Sequence, residues 1–302
     1  MKQIAKRVVL FLAVNFLVIL AISIILNIFN IKPYLTSHGI DYKALLIFCL
    51  IWGMAGAFIS LALSRQMAKW FMGVHLINSE DATPKERELI DIIHKLARRA
   101  GLPKMPEVGI YDSFEVNAFA TGPSRARSLV AVSTGLLKRM NGAEIEGVLG
   151  HEIAHIMNGD MVTMTLLQGI VNAFVMFFAR IVAWVVAKSF RKDSDAGEPS
   201  PFPYMFLVFA FEILFMILGT IVIATYSRFR EFRADSGGAR LAGREKMIGA
   251  LHALERAVNL QDPHAEQPAF QAFKISNTKG MLRWFSTHPP LEERIKRLEE
   301  QG

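Results

Sequence analysis

Four apolar runs, each long enough to cross a lipid bilayer, are the strongest constraint on how this chain folds. A hydrocarbon core about 30 Å thick is spanned by roughly 20 helical residues at 1.5 Å each. Val8 to Asn30, Ala44 to Ser64, Thr163 to Ala187 and Met205 to Tyr226 all reach that length. Each is read as a spanning helix, because a helix satisfies its own backbone polar groups where no water can. The composition agrees: of 302 residues 52% are hydrophobic, and the mean hydropathy of +0.31 is high for a soluble domain.

The first run is retained, since a signal peptide has an apolar region of about 7–15 residues and a small-residue cleavage site, and neither description fits here. Lys2, Lys6 and Arg7 precede it, while the link from Ile31 to Lys43 carries only Lys32 and Lys43 against Asp41. Charge bias therefore places the amino terminus inside and that link outside. Between the third and fourth runs, Lys188 to Tyr204 is polar and Pro-containing and reads as a short external loop. Arg180 and Glu212 lie at matching depths of roughly 10 Å in this hairpin. Pairing would relieve two costly intramembrane charges, and snorkelling of Arg180 alone is the alternative.

The net charge of +7 does not indicate nucleic-acid binding. The basic residues flank apolar runs and form no stripe with interleaved aromatics. Cys49 is the single cysteine and sits in an apolar run, so a disulfide within the chain is excluded.

Past Arg65 the pattern becomes that of a soluble domain, after an interfacial exit segment from Ser64 to Ile77 that holds Trp70. Thr83 to Glu86 is a capping box with Pro84 at the first helical position. The helix it opens presents Leu89, Ile92, Ile93, Leu96 and Ala100 on one face and ends at Gly101. His94 on this helix has no partner at ligand spacing and is read as an ordinary histidine. Three short strands are expected at Pro106 to Tyr111, Asn117 to Thr121 and Leu129 to Ser133, with Thr121 to Ser124 as the turn between the last two. A small sheet of this kind offers an edge for an extended peptide, although Asn117 to Ala120 would equally serve as plain packing.

Asn141 to Glu144 has N-cap spacing, and the helix that follows carries His151-Glu152-Ile153-Ala154-His155. Histidines four apart on a helix lie on one face and reach a common metal ion, while the intervening Glu reaches a water on it. Such a site needs a third protein ligand and keeps a fourth position open. Glu231 and Asp235, also four apart, follow the fourth apolar run: Glu231 supplies that ligand, and Asp235 one turn on accepts the free N–H of a ligand histidine. His151 and Glu231 can meet only across an even number of spans, and two intervene; Glu231 follows Tyr226 by five residues, about 7.5 Å along a continuing helix, which puts the site at the membrane surface. The remainder is helical, with an Asp262 to Lys279 loop and a charged helix after Pro289-Pro290. His288 on that rigid turn either donates to an oxyanion or caps the surface.

Together these motifs resemble the HtpX family of bacterial membrane-bound metalloproteases, relatives of the prenyl-protein endoproteases. The resemblance runs through His151 to His155 with Asn158-Gly159-Asp160, the hairpin, Arg230 to Asp235, and Ser286 to Pro290. It implies one zinc ion per subunit on His151, His155 and Glu231, with Glu152 as the catalytic carboxylate. Asn117, Ala118, Phe119 and Ala120 correspond to the family's substrate-side strand, and His288 to its terminal histidine. It further implies cleavage of misfolded membrane proteins or peptides in quality control, from a multi-pass protein of the bacterial inner membrane whose catalytic domain faces the cytoplasm. The relatives that act on prenylated proteins have more spans, which argues against that substrate class.

The expected fold is an α+β membrane protein, mostly helical, with four transmembrane helices and a zincin-like catalytic domain containing a small sheet. Residues 1–64 form the first helix pair, 65–162 the first catalytic part, 163–226 the membrane hairpin and 227–302 the second catalytic part. The competing reading is a membrane scaffold whose zinc is purely structural; that reading requires a closed site of four protein ligands.

Overall fold

The structure is a computed structural model that describes residues 35–36, 39–190, 201–259 and 284–300. In chain order these form β1 (Leu35–Thr36), β2 (Gly39–Ile40), α1 (Tyr42–Phe71), β3 (His75–Leu76), α2 (Pro84–Arg99), β4 (Glu107–Tyr111), β5 (Ala118–Ser124) and β6 (Arg127–Ser133). Then come α3 (Thr134–Arg139), α4 (Gly142–Asn158), α5 (Asp160–Ser189), α6 (Pro201–Ala242), α7 (Arg244–Asn259) and α8 (Leu291–Glu300). The described residues divide into two compact units, one within 1–60 and 165–223, the other within 61–164 and 224–302.

In the first unit, long stretches of α1, α5 and α6 provide the apolar helices. Among the described residues three helices are long and apolar enough to cross a membrane: α1, α5 and Pro203–Ala242 within α6. The expected fourth, Val8 to Asn30, lies outside the described residues. Arg180 of α5 donates to Glu212 of α6 at 2.7 Å, so the two intramembrane charges pair and Arg180 does not snorkel alone. The Arg180 guanidinium also lies over the Phe48 ring of α1, 5.6 Å from its centroid. Cys49 is buried against Leu45 and Ala173, as an inert small apolar residue would be.

The second unit is built on a four-stranded sheet of order β3-β4-β6-β5. β6 is its centre, and six of its seven residues are buried, in keeping with the apolar, β-branched run at Leu129 to Val132. β4 runs parallel to it, pairing Glu107 with Leu129 and Tyr111 with Ser133. β5 runs antiparallel and forms the outer edge. Thr121 to Ser124 is not the turn that its Gly-Pro pair predicts. These residues belong to β5, whose register shifts between Thr121 and Ser124, and the turn falls at Arg125 and Ala126. Gly122 has φ +144°, and a Cβ there would lie 2.2 Å from the Arg127 carbonyl oxygen. Gly-Pro here marks a bulge that re-aims the strand without reversing it.

α2 begins at its capping box, with Thr83 accepting from Glu86 N–H and Glu86 accepting from Thr83 N–H. Its buried face, Leu89, Ile90, Ile93, Leu96 and Ala97, joins Val130 and Val132 of the sheet and Leu149, Ile153 and Ile156 of α4 in one core. Two short elements were not apparent from periodicity. β3 has only two residues, and α3 is a six-residue helix capped by Ser133, whose hydroxyl accepts from Leu136 N–H.

Candidate metal centre

α4 is fixed at both ends by local chemistry. Asn141 accepts from Glu144 N–H at 3.0 Å while Glu144 accepts from Asn141 N–H at 3.0 Å. Gly159, at φ +71°, ends the helix by turning left-handed, with its N–H on the carbonyls of His155 and Ile156. Between these ends Leu149, Ile153 and Ile156 hold one face in the core, which points His151, Glu152 and His155 the other way, into a cavity of about 350 Å³.

α6 comes up against this face as one unbroken helix well beyond Tyr226. Its approach depends on Gly237 and Gly238. A Cβ on Gly238 would lie 2.9 Å from His151 N, and one on Gly237 would lie 2.7 Å from the Ala154 Cβ. With no side chains in the way, Glu231 reaches both histidines. Its Oε2 is 3.4 Å from His151 Nε2, its Oε1 is 3.4 Å from His155 Nε2, and the two imidazole Nε2 atoms are 3.1 Å apart. A tetrahedral ion with bonds of about 2.0–2.1 Å has ligand-to-ligand edges of about 3.3–3.4 Å, so the three side chains fit three corners of such a site. His151, His155 and Glu231 are the group of ligand side chains that could hold a metal ion among the described residues.

The far nitrogens of both imidazoles are taken by carboxylates. His151 Nδ1 lies 2.9 Å from Asp235 Oδ1, and His155 Nδ1 lies 2.7 Å from Asp160 Oδ2. Asp235 in turn receives two bonds from Arg294 of α8, from Nη2 at 2.6 Å and Nε at 2.7 Å. Arg233 bonds to Asp160, and Arg230 donates to Glu231 Oε1 at 2.9 Å. Burial works against a charged imidazole, but the hydrogen bonds of Asp235 and Glu231 outweigh it and push His151 up to about 10. The anionic surroundings therefore favour a positive charge at the point where the three side chains meet. Burial opposes the Arg294 charge too, yet the adjacent Asp235 carboxylate drives its pKa above the ordinary arginine value.

Three further sequence-predicted groups line the same cavity. Glu152 Oε2 accepts from Ala120 N–H at 2.9 Å, tying the α4 carboxylate to the edge strand. Asn117 turns its carbonyl toward β6, where Ser133 N–H donates to it at 2.9 Å. By strand alternation Ala118 and Ala120 turn their backbone groups outward, toward α4. Asn117, Ala118, Phe119 and Ala120 all border the cavity, although Phe119 also packs beneath the sheet against Tyr111, with ring centroids 5.6 Å apart. His288 is there as well, its Nδ1 3.1 Å from Glu231 Oε2.

Residues 83–301 match the model for peptidase family M48. The chain belongs to peptidase family M48. Full-length relatives of this M48 peptidase include the "Protease HtpX homolog" of Bacillus velezensis, 52% identical over 304 residues and covering 98% of this chain and 99% of that protein. "Protease HtpX" of Chromohalobacter salexigens is 45% identical over 297 residues, covering 98% of each. The crystal structure of S. mikatae Ste24p aligns with a TM-score of 0.67 at 19% identity, over 99% of this chain and 66% of that one, and so shows a shared fold. The chain is accordingly a membrane metallopeptidase of mixed, mostly helical fold.

Several site residues of the M48 chain escaped sequence reasoning. Arg294 stood in a helix distinguished only by its charge, yet it is 4% exposed. It shares a helical stripe with Leu298, four residues on, and that spacing was the available signal. Asp160 follows a helix-breaking glycine, so no periodicity links it to His155. Gly237 and Gly238 carry no side-chain chemistry and show their role only where α6 meets α4.

Proposed function

We propose that this membrane peptidase is a zinc-dependent endopeptidase, with one zinc ion per subunit held by His151, His155 and Glu231. The observation that carries the reading is the convergence of these three side chains with Glu152 in one cavity beside a sheet edge. When bound, zinc supplies Lewis acidity toward water and toward a peptide carbonyl. Asp235 accepts the Nδ1–H of His151, which leaves its Nε2 lone pair free for a ligand bond. Glu152 takes the proton of the attacking water and returns it to the leaving amine. His288, on its proline-braced turn, donates to the oxygen that becomes negative as the carbonyl is attacked.

The substrate lies extended along β5. Ala118 and the Ala120 carbonyl face the cavity beside the Ala120 N–H that Glu152 holds, so a peptide can pair there as an added strand, with the register shift after Thr121 ending the pairing. Edge pairing reads backbone and few side chains, which suits a protease of misfolded membrane proteins or peptides in quality control. Lys2, Lys6 and Arg7 before the first apolar run, with Arg228, Arg230 and Arg233 after the last, favour a cytoplasmic catalytic part on a bacterial inner-membrane protein. In this arrangement residues 1–64 and 163–226 make the membrane part, and 65–162 and 227–302 make the catalytic part. A purely structural zinc would call for a fourth protein ligand, whereas the cluster has three.

The test is Glu152→Gln in the purified full-length protein. It should keep its zinc and lose cleavage of an unfolded membrane-protein substrate by several orders of magnitude. Cleavage at the wild-type rate would remove Glu152 from the mechanism.

A further inference from the structure

Both imidazoles of the cluster are backed by a carboxylate, but the two carboxylates reach their places by different routes. Asp235 sits on the same helix as Glu231, one turn on. Asp160 is the first residue of α5, placed by the left-handed turn at Gly159, and is only 1% exposed. Its Oδ2 lies 2.7 Å from His155 Nδ1, and its Oδ1 accepts from Arg233, two residues past Glu231 on α6.

We propose that Asp160 is a positioning residue for His155, and that Arg233 pins it from α6. A neutral imidazole carries one N–H, and the group that accepts it decides which nitrogen keeps a lone pair. With Nδ1–H given to Asp160, His155 Nε2 faces Glu231 Oε1 at 3.4 Å and His151 Nε2 at 3.1 Å. The Asp160 carboxylate is buried, so the orientation it gives the imidazole depends on what holds its other oxygen. Arg233 supplies the counter-charge at one oxygen, and the amino-terminal end of the 30-residue α5 adds to it. The helix that delivers Glu231 thus also delivers the guanidinium that holds the partner of His155 in place. His155 is fully oriented only when α6 is docked against α4, so the third ligand and the second are set by one packing event.

The inference rests on the metal reading of His151, His155 and Glu231, and the experiment separates the two. The full-length, detergent-solubilised protein is titrated with zinc against a chromogenic chelator, and its cobalt(II) form is recorded by visible spectroscopy. Asp160→Asn keeps the shape and removes the charge; zinc affinity should fall about 10- to 100-fold and the cobalt bands should shift. Wild-type affinity and an unchanged cobalt spectrum, whatever happens to the melting temperature of the metal-free protein, would reduce Asp160 to a helix cap and overturn the proposal. Should Asp160→Asn fail to fold, Arg233→Gln decides: a loss of zinc affinity in the same direction supports the pin, and wild-type affinity overturns it. Equal zinc binding by the wild type and Glu231→Gln would instead overturn the metal reading itself.

Discussion

Replacing Gly238 by alanine should damage the metal centre without replacing any ligand. An added Cβ there would stand 2.9 Å from His151 N, 2.9 Å from Met247 Sδ and 3.1 Å from His151 Cα. Two of the three neighbours are α4 backbone and cannot swing aside. Restoring contacts of about 3.5 Å or more requires α6 to withdraw from α4 by roughly 0.5 Å. Overpacking of this kind costs about 1–3 kcal/mol. The effect on the site should be larger than the effect on the fold, because ligand distances tolerate only about 0.2 Å. Glu231, two turns earlier on the same helix, moves with it, and zinc affinity should fall by on the order of tenfold or more. Chelator competition measures the affinity, and thermal melting of the metal-free protein measures the fold. Gly249→Ala on α7 is the control, since a Cβ there meets nothing within 4 Å. It should be neutral or stabilising by about 0.5–1 kcal/mol through helix propensity. A Gly238→Ala protein with wild-type zinc affinity would refute the argument that close approach of α6 to α4 builds the centre.

Arg294→Met should destabilise the protein by about 3–5 kcal/mol, because it strands the buried Asp235 carboxylate without its bidentate partner; chemical denaturation of the metal-free protein gives the value. His288→Ala should leave zinc content unchanged and lower kcat by about 100- to 1,000-fold if His288 donates to the oxyanion, and an unaltered kcat would return it to a surface role.

What could be read from the sequence follows from which interactions are periodic. The apolar runs, the capping boxes at Thr83 and Asn141 and the His151/His155 face are local patterns and so are legible in the sequence, while the matched depth of Arg180 and Glu212 leaves pairing and snorkelling both open until the structure shows the pair. Glu231 and Asp235 could be placed together because they share a helix with the required spacing. The structure shows that helix running unbroken from Pro201 to Ala242. The parts that stayed hidden depend on contacts between elements far apart in sequence. Gly122-Pro123 looks like a turn, and only its pairing with β6 makes it a bulge. Arg294 looks like surface charge until α8 packs and buries it beside Asp235. Asp160 and Arg233 are separated by the entire hairpin, so no local pattern could join them.

The proposed centre is a zinc ion held by two histidines and one glutamate, with a position left for water. X-ray absorption at the zinc edge of the purified full-length protein addresses it directly. The proposed ligands give a nitrogen and oxygen shell near about 2.0–2.1 Å with two imidazole contributions, one of which disappears in His155→Ala. A sulfur scatterer, or a spectrum identical in wild type and His155→Ala, would contradict it.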